Sequence, residues 1–428
     1  LGSGTITTPS TAKNVLSVGS SVNANAQFTD LFCEKGPIPN CLICESARSA
    51  SHHLTQDDLA YFSSMGPTSD GRIKPDVVAP GYYFYSAKSS PFTGTSCDLP
   101  ISKLLAVDVG TSMSAPVIAG ALGLVRQYFQ EGYYPTGLPT DQNAFTPSGA
   151  LLKAIAIAGA ISITGFRDYG GPIPITSDYR RAAPAPNSVQ GFGQLQLSKV
   201  LKFNESTSFN LVIPRSDGLF LDPELVATRD YHQYKFCVLA NRSRHRPRVT
   251  LVWVDYPGTS LASVALVNDL DLIVNTLYKD STSNVTKLSP RIYPNALLEE
   301  DHVNTIERVE IPHAITGDVV IVRVFGHNIV MSPQPYALVV TGPIVQVDMD
   351  ESCETSHTEG FEFTEENELE DVPHMIHEDL GSPSESVSTK PFGFIYDHAL
   401  AILVFGTIAC LLLIACVARR IILTAVSR

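Results

Sequence analysis

The sequence predicts an α/β layered domain, then an all-β domain of jelly-roll or barrel type, then one transmembrane helix. Three observations carry that reading. Over residues 1–202, short β-rich runs alternate with helical ones, the pattern of a sheet covered by helices. From about residue 203 to 345 the helical period gives way to β-branched runs separated by turns, as in a sandwich, jelly roll or barrel. Residues 399–418 are an apolar run of 20 residues, which as a helix spans about 30 Å, the thickness of a bilayer core.

The elements follow in order. Residues 15–18 and 77–79 read as strands, and 112–130 and 148–161 as helices, the first preceded by a short apolar run at 106–109. Beyond 203, the runs at 249–254, 270–274, 319–325 and 336–341 read as strands. Turn residues such as Asp255-Tyr-Pro-Gly258 and Thr316-Gly-Asp318 separate them. Residues 346–398 are acidic and poor in aliphatics, a solvated stalk or linker. Arg419 and Arg420 follow the apolar run directly and open a short tail, 419–428. The positive-inside rule then makes this a single-pass membrane protein anchored in a lipid bilayer. Its tail lies in the cytosol, and residues 1–398 lie outside the cell or in a lumen. A buried core helix is the competing reading of 399–418, and the length and terminal position of the run weigh against it.

Composition narrows the class further. With 428 residues and 44% hydrophobic content, the chain is not a disordered protein. Its net charge of −13 is local, because residues 348–389 hold 14 Asp/Glu and no Lys/Arg, leaving 29 acids against 30 bases elsewhere. Without a basic face, no nucleic-acid partner is expected. The chain opens with Leu1 and no charged-then-apolar leader, so it is expected to begin mid-protein or to be a processed or truncated product. Cys410 and Cys416 lie in the apolar run, leaving Cys33, Cys41, Cys44, Cys97, Cys237 and Cys353. A lone Cys41-Leu-Ile-Cys44 is a weak zinc signal, and disulfides of open pairing fit an oxidising compartment better. Asn204-Glu-Ser, Asn241-Arg-Ser and Asn284-Val-Thr match the glycosylation acceptor pattern of a glycoprotein.

The sharpest chemistry is Gly110-Thr-Ser112-Met-Ser-Ala-Pro116, ahead of a run apolar on nearly every face from Val117 to Val125. Such a run predicts a buried central helix with Pro116 in its first turn. Ser112 then sits at a helix N-terminus, where unpaired N–H groups and the dipole favour negative charge, as a nucleophile and its oxyanion require. From the spacing alone a serine helix cap is the plainer reading, and Thr111 and Ser114 compete for it.

These residues closely resemble the serine motif of subtilisin-like proteases, usually Gly-Thr-Ser-Met-Ala-x-Pro, with Ser114 at the usual alanine, a small-for-small change. Phe62-Ser-Ser-Met-Gly-Pro-Thr-Ser-Asp-Gly-Arg-Ile-Lys-Pro-Asp-Val-Val-Ala-Pro-Gly81 is similar almost throughout to the segment leading to that serine, with Met65 at a common arginine. Thr8-Pro-Ser-Thr-Ala-Lys-Asn-Val-Leu-Ser-Val-Gly19 and Gln190-Gly-Phe-Gly193 are similar to the family's earlier and closing segments. Farther on, Val249-Thr-Leu-Val-Trp-Val-Asp255 and Leu266-Val-Asn-Asp-Leu-Asp-Leu272 resemble the β-barrel that follows the protease in one branch of the family.

The resemblance implies a subtilisin-like parallel sheet with helices and a serine-type endopeptidase acting on peptide or protein substrates without a required cofactor. Serine attacks, histidine carries the proton, aspartate orients the histidine and an asparagine helps hold the oxyanion. In family order the last three precede the first matched segment, so they are expected upstream of Leu1. Ser112 is the triad member present. His52, His53, Asp76 and Asp108 match no acid–base position. Asn268, Asp269 and Asp271, with Asp255 nearby, are oxygen ligands suited to a structural calcium ion, as in the relatives, although turn chemistry also explains them. A catalytically incomplete surface or adhesion protein on the same scaffold is the alternative function. A carbohydrate-binding barrel would rest on architecture alone.

Overall fold

The computed structural model describes residues 4–23, 57–82, 84–87, 105–167, 179–203, 209–214, 222–239, 246–259, 262–279, 285–312 and 314–353. The stalk beyond 353, the apolar run 399–418 and its tail, the three acceptor asparagines Asn204, Asn241 and Asn284, His52, His53, Cys33, Cys41, Cys44 and Cys97 lie outside them. Among the described residues no helix is long and apolar enough to cross a membrane. Everything described falls in one compact unit, residues 1–364.

Strands β1 (Val18–Val22), β2 (Asp58–Leu59) and β3 (Val77–Tyr82) open the fold, followed by a separate antiparallel ribbon of β4 (Phe84–Ala87) and β5 (Leu105–Asp108). Helix α1 (Thr111–Gln130) leaves that ribbon, and α2 (Gly149–Ala158) follows it. The Ser148 Oγ accepts the Leu151 N–H at 2.9 Å and so starts α2. Strands β6 (Ala160–Ile161), β7 (Gly165–Arg167), β8 (Tyr179–Arg181) and β9 (Gln194–Leu195) complete a seven-stranded sheet ordered β6-β9-β3-β1-β2-β7-β8. It is mixed, not parallel throughout. Pairs β1–β3, β3–β9 and β2–β7 are parallel, whereas β1–β2, β6–β9 and β7–β8 are antiparallel. Parallel neighbours need long crossovers, usually helical, and only two α-helices lie among the described residues.

Helix α1 corrects the expectation of all-round burial. Ile118, Val125, Tyr128 and Phe129 are buried against the sheet, but Ala115, Ala119 and Leu124 are exposed, Leu124 at 58%. Within the apolar run the exposed positions are Ala119, Gly120, Gly123 and Leu124, and the first three carry little apolar area, so leaving them wet costs little. Pro116 also lies deeper than expected, at the sixth helical residue. There its missing N–H leaves the Ser112 carbonyl without its usual partner one turn on.

Beyond residue 203 the described elements are strands and short turns. Strands β10 (Asn210–Val212), β11 (Glu224–Leu225), β12 (Tyr231–Val238), β13 (Arg248–Trp253), β14 (Asp269–Lys279), β15 (Thr286–Leu288), β16 (Ile306–Glu310), β17 (Val319–Asn328), β18 (Gln334–Gly342) and β19 (Ile344–Val347) form two sheets. One runs β10-β18-β13-β16 with β11 beside β18, the other β15-β14-β17-β12-β19. The first of these is buried on both faces. Ala337, Val339, Val252 and Ile306 join α2 in one core, while Leu338, Val340, Leu251 and Trp253 face the second sheet, the period-two alternation of a strand. The layers are therefore helix, sheet, sheet, and the first core continues across residue 203.

Polar contacts tie the same junction. The Lys13 Nζ donates to Asp255 Oδ2 at 2.6 Å and to the Tyr256 and Ala265 carbonyls. Arg248 and Arg308 donate to carbonyls at the end of α2 and just beyond, those of Ile157, Ala158 and Ala160, where a helix dipole favours cations. Cys237 of β12 is bonded to Cys353, which pins the start of the acidic segment to the second sheet.

Candidate functional site

Ser112 is the second residue of α1, and its side chain belongs to an exposed residue. The helix begins at Gly110, whose φ of 150° suits glycine and which offers no side-chain cap. The serine-cap reading is thereby excluded for Ser112, and Thr111 and Ser114 also fall inside the helix. The turn is held from below. The Gly110 N–H donates to the Gly81 carbonyl at 2.8 Å, and the Met113 N–H to the Gly110 carbonyl at 3.0 Å. A Cβ at Gly81 would lie 2.1 Å from the Ser114 Oγ and 2.6 Å from the Gly110 oxygen, so only glycine lets β3 approach the helix start this closely. The Thr111 and Ser112 N–H groups that open α1 have no carbonyl one turn back within the helix, and they lie beside the exposed serine. This end of the helix can stabilise an oxyanion.

The other matched segments are scaffold. Asp76 is buried and accepts the Ser17 N–H at 2.6 Å and the Lys74 ammonium at 2.7 Å, with Lys153 at 3.8 Å. Burial pushes the Lys153 ammonium down to about 8 despite the attraction of Asp76. Thr68, Asp70 and Arg72 close a turn on one another, and the next amide, Ile73 N–H, donates to Asn304 Oδ1 at 2.8 Å. Gln190 is buried, accepting from Ile163 and donating to Ala183. Asp108 is exposed and accepts the Val109 N–H.

The four oxygen ligands expected for calcium do not converge. Asp255 is spent on Lys13 and on the N–H groups of Tyr256, Val267 and Asn268. The Asn268 amide is spent on Val330, Met331 and Gln334. Both stitch loops to the sandwich. Asp269 and Asp271 do converge, at alternate positions of β14, but with two histidines that sequence reading missed. The His302 Nδ1 lies 2.8 Å from Asp269 Oδ2 and 3.6 Å from Asp271 Oδ1, and the His327 Nδ1 lies 3.4 Å from Asp271 Oδ2. Burial, then Asp269, pushes the Asp271 carboxyl up to about 6. Burial, then the neighbouring acids Asp301 and Asp271, holds Glu307 well above the usual range.

Comparison with known proteins fixes the class. Residues 2–193 match the subtilase family, so this part of the chain is a subtilase domain. Among relatives, the Dictyostelium discoideum serine protease/ABC transporter B family protein tagD is 32% identical over 336 residues, covering 70% of this chain and 18% of that protein. The protein tagA of the same organism is 33% identical over 66% of this chain and 15% of its own length. The C5a peptidase of Streptococcus pyogenes is 39% identical over 84 residues, 20% of this chain and 6% of the peptidase. The chain thus spans less than a fifth of each.

Proposed function

We propose that this protein is a serine endopeptidase in which Ser112 is the nucleophile. The exposure of Ser112 at the N-terminal turn of α1, inside the subtilase match, carries the reading. Ser112 Oγ bonds to the carbonyl carbon of a peptide substrate while its proton passes to a histidine. The resulting oxyanion is held by backbone N–H groups at the helix start. Collapse breaks the C–N bond, and the leaving amine takes the proton. Water then repeats the sequence on the acyl-enzyme. The order of the matched segments points to aspartate, histidine and oxyanion asparagine upstream of residue 1. No cofactor takes part in this scheme.

A fluorophosphonate probe should label Ser112 in the full-length protein, and Ser112→Ala should abolish labelling and peptide cleavage. Loss of a nucleophile of this kind costs on the order of 10⁶-fold in kcat. Labelling that persists in the variant overturns the assignment, and no labelling of the folded protein favours the non-catalytic scaffold.

The proposal extends to topology. The apolar run 399–418 with Arg419 and Arg420 supports a single membrane anchor, the protease and strand-rich parts outside or lumenal, and a cytosolic C-terminus. Glycan at Asn204, Asn241 or Asn284 would sit on the same side. A C-terminal tag should become accessible to antibody only after permeabilisation; access on intact cells refutes this arrangement.

A further inference from the structure

The cluster of Asp269, Asp271, His302 and His327 lies in the strand-rich part of the chain, outside the serine site, and the peptidase scheme makes no use of it. Its construction is specific. Asp269 and Asp271 share one face of β14, while Leu270 and Leu272 between and beyond them face the sandwich core. Strand β17 pairs with β14 so that Asp269 faces Asn328 and Leu270 faces Gly326. His327 is skipped in that register, a bulge of the kind that re-aims a side chain. His302 arrives from the loop ahead of β16. The two imidazoles stand 4.3 Å apart, centroid to centroid. One ligand atom from each of Asp269, His302 and His327 lies within 4.8 Å of the others.

An exposed His–Asp ion pair is the plainer account, and such pairs are worth at most about 1 kcal/mol. Three facts go beyond it. Asp271 is buried, with 3% of its surface exposed, and its Oδ1 has no hydrogen-bond partner. The Asp269 Oδ1 is likewise buried without one, and behind them Glu307 Oε1 is a third. Among the described residues, no Lys or Arg pairs with Asp269, Asp271, Asp301 or Glu307; the ion pairs here come from the two histidines alone. Buried carboxylates with open lone pairs, walled by two imidazoles, lack a cation. We propose that Asp269, Asp271, His302 and His327 bind one divalent transition-metal ion of the zinc class.

The donor set decides the metal. Imidazole and carboxylate together suit zinc and its neighbours, whereas calcium takes oxygen ligands alone. Zinc–ligand distances of roughly 2.0–2.2 Å put tetrahedral donors about 3.3–3.6 Å apart, so side-chain rotations that draw the donors in by about 1 Å close the cluster. The ion would fasten the 302 loop and β17 to β14, with the half-exposed imidazoles on its solvent side.

The experiment measures metal content by mass spectrometry on the full chain after equilibration with zinc and excess calcium, and zinc affinity by calorimetry. The expected result is one zinc per chain, and a tetrahedral visible spectrum when cobalt replaces it. His302→Gln with His327→Gln should weaken zinc at least tenfold, and Asp269→Asn should do so independently; His232→Gln, outside the cluster, should not. Because both imidazoles are half-exposed, circular dichroism should show the double variant folded. No stoichiometric zinc, calcium displacing zinc, or unaltered affinity in the double variant each overturns the site. Ser112 labelling is a separate readout, so the peptidase reading stands or falls independently.

Discussion

Ser114 illustrates how much one hydroxyl can matter beside a catalytic residue. It is fully buried, and its Oγ has no hydrogen-bond partner while it packs over Gly81. An unmade hydrogen bond of this kind costs about 1–3 kcal/mol. Ser114→Ala should therefore leave stability unchanged or raise it by about 1 kcal/mol, measured by denaturant unfolding, with Ser112 labelling retained. A loss of more than about 1 kcal/mol would mean that the hydroxyl has a partner. In the sequence, Ser114 looks like a neutral exchange for alanine, because a motif reports size and type but not whether a hydroxyl is satisfied. The helix start around Ser112 was legible for the opposite reason, since Gly110 before it and an apolar run after it mark one, whereas a nucleophile's role for Ser112 came from the resemblance alone. His302 and His327 were not legible. They lie 31 and 56 residues beyond Asp271 in the chain, and only the sandwich register brings them together.

At the scale of elements, hydrophobic runs located the helices and main strands but misjudged what covered them. The serine helix was expected from 112 and runs Thr111–Gln130, yet apolar residues all round did not mean burial all round. The first strand was expected at 15–18 and runs Val18–Val22. Its Ser20 and Ser21 are buried despite being polar, a signal hydropathy cannot carry. Lys153 is the same case inside α2, where it reads as a solvated position but is buried, donating to the Val15 carbonyl at 3.1 Å. Its folded value of about 8 lies below the ordinary 10.5. Between those pH values the unfolded chain holds the extra proton, so this group's contribution to stability rises with pH and is flat below 8. The difference in unfolding free energy between the protein and Lys153→Met should shift in favour of the unsubstituted protein from pH 8 to 10.5. A pH-independent difference would show that Lys153 titrates normally.

For the whole molecule the question is whether residues 4–203 and 209–353 stand apart. Composition changes near 203, and that change alone suggests two domains. Packing argues otherwise, because α2, β13, β16 and β18 bury their side chains in one core. The sheet between α2 and the second sheet has no solvent-facing side to lose. Separating the parts would expose Val252, Ile306, Ala337 and Val339, and burial of side chains this size is worth about 1.5–3 kcal/mol for each large one. It would also break the hydrogen bonds that the buried Arg308 guanidinium makes to the Ile157, Ala160 and Phe192 carbonyls, and hydrogen bonds of a charged group contribute about 1.5–3 kcal/mol. Neither part keeps these contacts once the other unfolds. Calorimetry should therefore show one transition for residues 4–353, with calorimetric and van't Hoff enthalpies in agreement. Arg308→Ala should lower its midpoint without splitting it. Two resolved transitions in the unsubstituted protein would mean that the shared core contributes little and that residue 203 is a true boundary.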